Sequence, residues 1–347
     1  MKKILVGVTI ILVLFSVKIA SAQTYVFERE WGGDETGKGR LSFPAGVAVD
    51  PTGKVYVVDS DNHRVQVFNS RGVFLAKWGS EGKENGQFNY PWGVALDSSG
   101  NVYVTDCFNH RVQKFTKEGK FITKWGSIGE VKGKFVVPLG IAVNSAGKVY
   151  VVDAQMTRIQ VFNSNGVFLT EWGTIGEGDG QFKLPVGIAV DSSDYVYVAD
   201  RNNDCVQKFT KEGMFVTKWG RTGRGEGEFA SPWGIAVDSS DNVYVTDRNN
   251  RVQKFSKEGK FITQWGKPGE GEGEFNFPMG VAVDLEGKVY VVDSENNRVQ
   301  KFKPIIISYE PTTTTTRMMR KPIPLTTTTT GGIYTPTTRL IKPYRKF

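Results

Sequence analysis

A unit of 47 residues recurs six times in this chain. Trp-Gly stands at Trp31, Trp78, Trp125, Trp172, Trp219 and Trp265. Pro-x-Gly stands at Pro44, Pro91, Pro138, Pro185, Pro232 and Pro278. An Asp closes a "VYV" run at Asp59, Asp106, Asp153, Asp200, Asp247 and Asp293. Every spacing is 47 except the last, which is 46, and the missing residue lies between Asp247 and Arg251. A fixed period of this length specifies a closed array or a solenoid. It also marks most apparent motifs as architecture, because they occur six times.

Each copy reads as four short strands. In the second, "WGVALD" (Trp92–Asp97), "NVYVTD" (Asn101–Asp106), "RVQKF" (Arg111–Phe115) and "KFITKW" (Lys120–Trp125) are separated by Ser/Gly and Lys-Glu-Gly turns. Period-2 alternation broken by turn residues predicts an antiparallel meander, called here strands a to d. Six such sheets set radially predict an all-β, six-bladed β-propeller. Strand a lies nearest the axis, where Gly46 and Ala48 and their counterparts supply small side chains. The outer strands carry the bulk, with Phe68, Phe115, Phe162, Phe209, Phe255 and Phe302 on strand c.

The copies are out of phase with the blades. Trp31 precedes any complete copy, and the last copy stops at Phe302 without a Trp. "TYVFEREW" (Thr24–Trp31) is therefore expected to be strand d of the last blade, closing the ring and removing an exposed edge.

The pattern Pro-x-Gly-Val/Ile-Ala, then "VYVxD", then Asn-x-Arg-Val-Gln resembles the NHL repeat. Asn62-His63-Arg64-Val65-Gln66 and Asn109-His110-Arg111-Val112-Gln113 carry it best. The resemblance covers about residues 24–303. It implies a six-bladed ring of the kind that binds proteins, RNA or surface ligands. Some related propellers are enzymes, among them lactonases and a peptide-amidating lyase, so the fold alone does not assign function.

Outside the repeats, residues 1–22 read as a secretory signal peptide. Lys2 and Lys3 precede the apolar run Ile4–Val17, and Ala20-Ser21-Ala22 fits a cleavage site after Ala22. The ring is expected over residues 23–303. Residues 304–347 form a basic tail with two runs of five Thr and scattered Pro, a composition that reads as a disordered, extended stalk. The net charge of +8 divides unevenly, with +7 after residue 302, +3 in the first 22 residues and −2 on the ring. A near-neutral ring lacks the footprint of a specific nucleic-acid binder. The tail is suited to an anionic envelope surface. The chain is expected to be exported, either secreted or held at the cell surface, and monomeric. Its two cysteines, Cys107 and Cys205, lie in non-adjacent copies and are expected to be free thiols, since a disulfide needs Cα atoms within about 7 Å.

Subtracting the six-fold residues leaves few candidates for function. The Asp/Arg pairs flanking the b–c turn, such as Asp59/Arg64, read as braces. The fourth copy has Cys205 in the Arg slot, so Asp200 is expected either to pair with Arg201 or to be more exposed. His63 and His110 share one variable turn slot, and two histidines fall short of the three protein ligands usual for catalytic zinc. The Gly/Glu-rich d–a loops lack the ligand spacing of a calcium loop, and their recurring Phe is expected to plug each loop onto the ring. No catalytic residue, metal site or cofactor is assigned. Two of the eight Trp are outside the ladder: Trp92 and Trp233 fill the x of Pro-x-Gly. That slot, with Leu139 and Met279, is expected at the rim of the central opening beside loop residues Phe108, Met156, Arg201 and Arg248. Apolar, aromatic and Arg residues gathered at loops have the composition of an interface hot spot. The expected function is non-enzymatic recognition of a protein, peptide or glycan there. The alternatives are a metal-dependent propeller hydrolase or lyase and a structural envelope protein.

Overall fold

The computed structural model describes residues 21–33 and 38–308. They form six four-stranded antiparallel sheets, the predicted propeller. Blade one is Pro44–Val49, Val55–Asp59, Arg64–Phe68 and Phe74–Trp78 as strands a to d. The next four blades repeat this order, beginning at Pro91, Pro138, Pro185 and Pro232. Alternation explains the layering. Strand b is buried from end to end, as in Val102–Asp106, while strand d alternates half-buried and exposed positions, as in Phe121–Trp125.

Blade six takes Pro278–Val283, Val289–Asp293 and Arg298–Ser308 from the C-terminal side, and its strand d is Ser21–Trp31. The two long strands pair from Trp31↔Val299 to Ser21↔Ser308. The expected closure is thus present, and the strands run further than expected. Strand d starts ahead of the anticipated cleavage point, and strand c passes residue 303 through the β-branched run Ile305–Ile307. The signal-peptide reading of the first 20 residues, and the tail reading after Ser308, lie outside the described residues.

Two sets of contacts close the circle. On the outside, each strand-d Trp meets the strand-c Phe of the next blade with ring centroids 5.8–6.0 Å apart, from Trp31–Phe68 round to Trp265–Phe302. At the axis, the Pro-x-Gly glycines touch the next blade's backbone. A methyl group on Gly46 would sit 2.4 Å from the Trp92 carbonyl oxygen, one on Gly187 2.2 Å from that of Trp233, and one on Gly280 2.6 Å from that of Ala45. Only glycine permits that approach.

Blade six has no c–d turn, because the chain ends enter there. Tyr25 fills the place. Its ring stacks on Trp265 at 4.2 Å, and its hydroxyl hydrogen-bonds that of Tyr244 at 2.7 Å.

Candidate functional site

The b–c turns and d–a loops emerge on one face, around the mouth of the central channel. Each b–c turn is built on the buried Asp that ends strand b. Five of these carboxylates pair with the expected arginine, at 2.7 Å for Asp59–Arg64, Asp106–Arg111 and Asp293–Arg298, 3.1 Å for Asp153–Arg158 and 3.2 Å for Asp247–Arg251. The arginines also bond carbonyls of the preceding d–a loop, so loop and turn form one rigid rim. The loop phenylalanines Phe88, Phe135, Phe182, Phe229 and Phe275 are fully buried plugs.

Blade four corrects the expectation for Asp200. It is neither exposed nor paired with Arg201. It is fully buried and accepts from the Leu184 amide (3.1 Å), the Lys183 amide (3.2 Å) and Asn203 Nδ2 (2.6 Å). Burial is the largest influence on its carboxyl and raises its pKa. Lys218 takes over part of the absent arginine's work, donating to the Glu177 carbonyl (3.3 Å) and pairing with Asp179 (2.9 Å). Arg201 turns instead toward the axis.

There it lies over the Trp233 ring, guanidinium carbon to centroid 4.4 Å. Trp233 in turn meets Trp92, with centroids 5.8 Å apart and planes at 31°. Blades two and five are diametrically opposed, so the two indoles meet over the axis and cap the channel. Beneath them is a cavity of about 80 Å³, lined by Gly, Ala, Val and Ile of the six a strands with Met279 and the two Trp. No ionisable side chain lines it.

The other candidates are distributed around this cap. Leu139 and Met279 are buried. Phe108 is 56% exposed and stacks on Tyr90 at 5.2 Å. Arg248 is exposed and lies 5.4 Å from the Phe277 ring. Met156 is half-buried on the blade-three turn, at the position where Asn62, Asn109, Asn203, Asn249 and Asn296 donate to the buried Asp of their blades.

Sequence reasoning passed over two groups. The first is Phe43, Tyr90 and Phe277, the residues before Pro-x-Gly. Together with Ser231 they hold positive φ, from 44° to 60°, although proline follows. That conformation is unfavourable for bulky residues. The turn residue of the preceding blade enforces it by accepting the backbone N–H: Asn297 for Phe43 (2.8 Å), His63 Nδ1 for Tyr90 (3.0 Å), Asp204 for Ser231 (2.7 Å) and Asn250 for Phe277 (3.0 Å). In the two remaining blades, Val137 and Leu184 give that N–H to their own Asp153 and Asp200. The latch turns aromatic rings onto the mouth. Phe277 meets Trp233 edge-on at 5.3 Å, and Tyr90 lies 6.1 Å from Trp92. His63 is thus a backbone latch. His110, in the same slot, contacts the Val136 carbonyl at 2.7 Å. Among the described residues no group of three or more His, Cys, Asp or Glu is placed to hold a metal ion.

The second group is Thr105 and Thr246. Their blades alone have Thr in the fourth position of strand b, and these are the two Trp blades. Thr105 Oγ1 accepts from the Gly93 amide (2.7 Å) and donates to the Leu139 carbonyl (2.7 Å); Thr246 does the same for Gly234 (2.8 Å) and Met279 (2.6 Å). Each pins the glycine after its Trp, which fixes the indole's root. The signal was present in "VYVTD" against "VYVVD" or "VYVAD".

The fold and this aromatic mouth define a six-bladed propeller whose channel is closed at one face. The NHL repeat model matches residues 41–68, 88–115, 182–209, 229–255 and 275–302, which are blades one, two, four, five and six. The chain is an NHL-repeat β-propeller. No curated protein matches it at significance. Solved structures share the fold. A protein of unknown function from Bacteroides thetaiotaomicron superposes with a TM-score of 0.63 at 18% identity, covering 82% of this chain and 77% of that one. An inactive virginiamycin B lyase from Staphylococcus aureus, solved with quinupristin, gives 0.56 at 16%, covering 85% and 90%. A gluconolactonase from Xanthomonas campestris gives 0.57 at 11%, covering 76% and 87%.

Proposed function

We propose that this chain is a non-enzymatic binding module that recognises a protein, peptide or glycan on the face around its closed channel. The observation that carries the reading is the Trp92–Trp233 contact across the axis. It leaves a cavity far below the roughly 300–1,000 Å³ of small-molecule sites, without an ionisable lining group. Trp233 is itself buried beneath Arg201 and Trp92, so what the ring offers outward is half-buried Trp92, Tyr90 and Phe277 with exposed Phe108, edged by half-buried Arg201 and exposed Arg248. Large, rigid aromatic area with Arg at its margin is the composition that dominates binding energy at interfaces. The lyase and lactonase share the propeller at identities that speak only for the fold, and the mouth argues for recognition.

The same reading places the chain outside the cytoplasm, as a monomer. The leader supports export with cleavage after Ala22, and the basic tail supports contact with an anionic envelope surface. The test is a comparison of the full chain with its Trp92→Ala/Trp233→Ala variant on peptide and glycan arrays. Saturable binding weakened by about thirtyfold or more, the loss expected of paired hot spots, supports the mouth. An identical binding profile from a folded variant excludes it.

A further inference from the structure

The b–c turns around the mouth are charged unequally. Arg201 and Arg248 project from the adjacent blades four and five. Asp61 and Glu295, both exposed, stand on the b–c turns of blades one and six, two residues after the strand-b Asp. Blades two and three contribute Phe108, Gln155 and Met156. The Asp204 carboxylate of the blade-four turn is half-buried and taken up by the Ser231 amide and the Thr222 hydroxyl. The side chains left facing the mouth are therefore arginines on one side and carboxylates on the other, with the aromatic cap between.

The charges are not neutralised from within. Among the described residues neither arginine has a carboxylate partner, and Arg201 Nε is buried without an acceptor. The arginines also repel: burial and then the charge of Arg248 lower the Arg201 pKa. An anion over the pair would satisfy the donor and relieve the repulsion. Across the mouth, burial and then the Asp61 carboxylate, with a smaller contribution from Glu295, push Tyr90 up to about 12. A cation there would offset the same field.

We propose that the ligand of the mouth is a short extended peptide of mixed charge, laid across the Trp92–Trp233 pair with a carboxylate on Arg201 and Arg248 and a basic side chain on Asp61 and Glu295. This rests on the reading of the mouth as a binding face. The two signs of charge select the class. An acidic glycan or a nucleic acid presents one sign along its length and is repelled by Asp61 and Glu295; a peptide carries both. Its apolar side chains suit the indoles. The successive contacts from Arg201 through Trp233 and Trp92 to Tyr90, at 4.4, 5.8 and 6.1 Å, reach at most about 16 Å, a distance about five residues of extended chain cover.

The experiment selects peptides from a random display library on the full chain. Enriched sequences are then measured against three variants: Arg201→Gln/Arg248→Gln, Asp61→Asn/Glu295→Gln, and Trp92→Ala/Trp233→Ala. Near-ultraviolet circular dichroism of the tryptophans checks that each variant is folded, and Arg201→Lys/Arg248→Lys keeps the charge where the Gln pair disturbs packing. The expected result is enrichment of sequences with an acidic and a basic residue separated by apolar ones. Each charge-removing variant weakens them by about tenfold or more, the Lys pair recovers part of the loss, and added salt weakens binding. Peptides lost with the tryptophans but indifferent to the charge variants overturn the dipolar inference and leave the mouth as a binding face. Peptides indifferent to the tryptophans overturn both. No enrichment, or tighter binding of a heparin fragment or oligonucleotide than of any peptide, overturns the inference.

Discussion

Asp200 and Cys205 face each other across the b–c strand pair of blade four, in the register where the other five blades hold an aspartate–arginine ion pair. The carboxylate is buried and the thiol opposite offers it no charge. Restoring the arginine is the direct test of what the brace contributes. Cys205→Arg is expected to stabilise the ring by about 1 kcal/mol, since Lys218 already covers part of the site and ion pairs must offset desolvation. The sign with pH follows from the raised pKa of Asp200. In the parent chain its contribution is most favourable below the unfolded carboxylate pKa and is lost as pH rises through the folded value. The substituted arginine favours the ionised form, so its gain is present at neutral pH and fades as the carboxyl protonates. Thermal melts of both proteins at neutral and acid pH measure this; an equal shift at both would show that the gain is not from the pair.

The two cysteines are expected to be inert in the native ring. Both are buried, and burial first, with nearby aspartates adding, pushes each thiol up to about 12. Thiolate is the reactive form. A chromogenic disulfide reagent at neutral pH should register no thiol in native protein and two after denaturation. Rapid labelling of either cysteine without unfolding would contradict the packing around it.

Tyr25 carries the closure at the one seam without a c–d turn. Tyr25→Ala should cost about 3–5 kcal/mol, as for other buried aromatics. Tyr25→Phe keeps the Trp265 stack and loses the hydroxyl's bonds to Tyr244 and Lys254, at about 1–2 kcal/mol. Urea unfolding separates the two. Equal losses would assign the closure to the hydroxyl pair and not to the stack.

The axial glycines predict the reverse of the usual glycine effect. Alanine favours strand more than glycine does, yet Gly187→Ala must push the Trp233 carbonyl aside. A loss of about 1–3 kcal/mol is expected, together with altered Trp233 fluorescence. A gain in stability would mean that the blades do not meet at that distance.

His63 is expected to be replaceable by Asn at little cost, because Asn250 and Asn297 accept the same bond in their blades. His63→Leu leaves the Tyr90 amide without that acceptor and should cost about 1–3 kcal/mol. It should also release Tyr90 from positive φ, with a change in mouth binding. Unaltered binding by His63→Leu would show that the latch does not orient Tyr90.

The period made the blades, the tryptophan ladder and the closure by Thr24–Trp31 legible in the chain. It also isolated Trp92 and Trp233 as departures. Their meeting across the axis was implicit too: they lie three periods apart, half of a six-fold ring. What the residues did not disclose was conformation set from the neighbouring blade. The φ of Tyr90 depends on His63, 27 positions earlier, and that of Phe43 on Asn297, at the other end of the chain. Pre-proline preference predicts the opposite geometry at both. The orientation of Arg201 was likewise hidden, because it depends on what fills the slot of Cys205 and on the ring of Trp233.

Ser21 and Ser308 pair at the tip of a ribbon that extends blade six beyond Phe27 and Phe302, on the side of the ring away from the mouth. Residues 21 and 308 therefore lie side by side on the face of the ring opposite the mouth. A linkage made at either of these two residues would hold the ring from behind, with the aromatic face turned outward. A ring trimmed to residues 21–308 and tethered to a sensor chip by either end should therefore keep its mouth unobstructed.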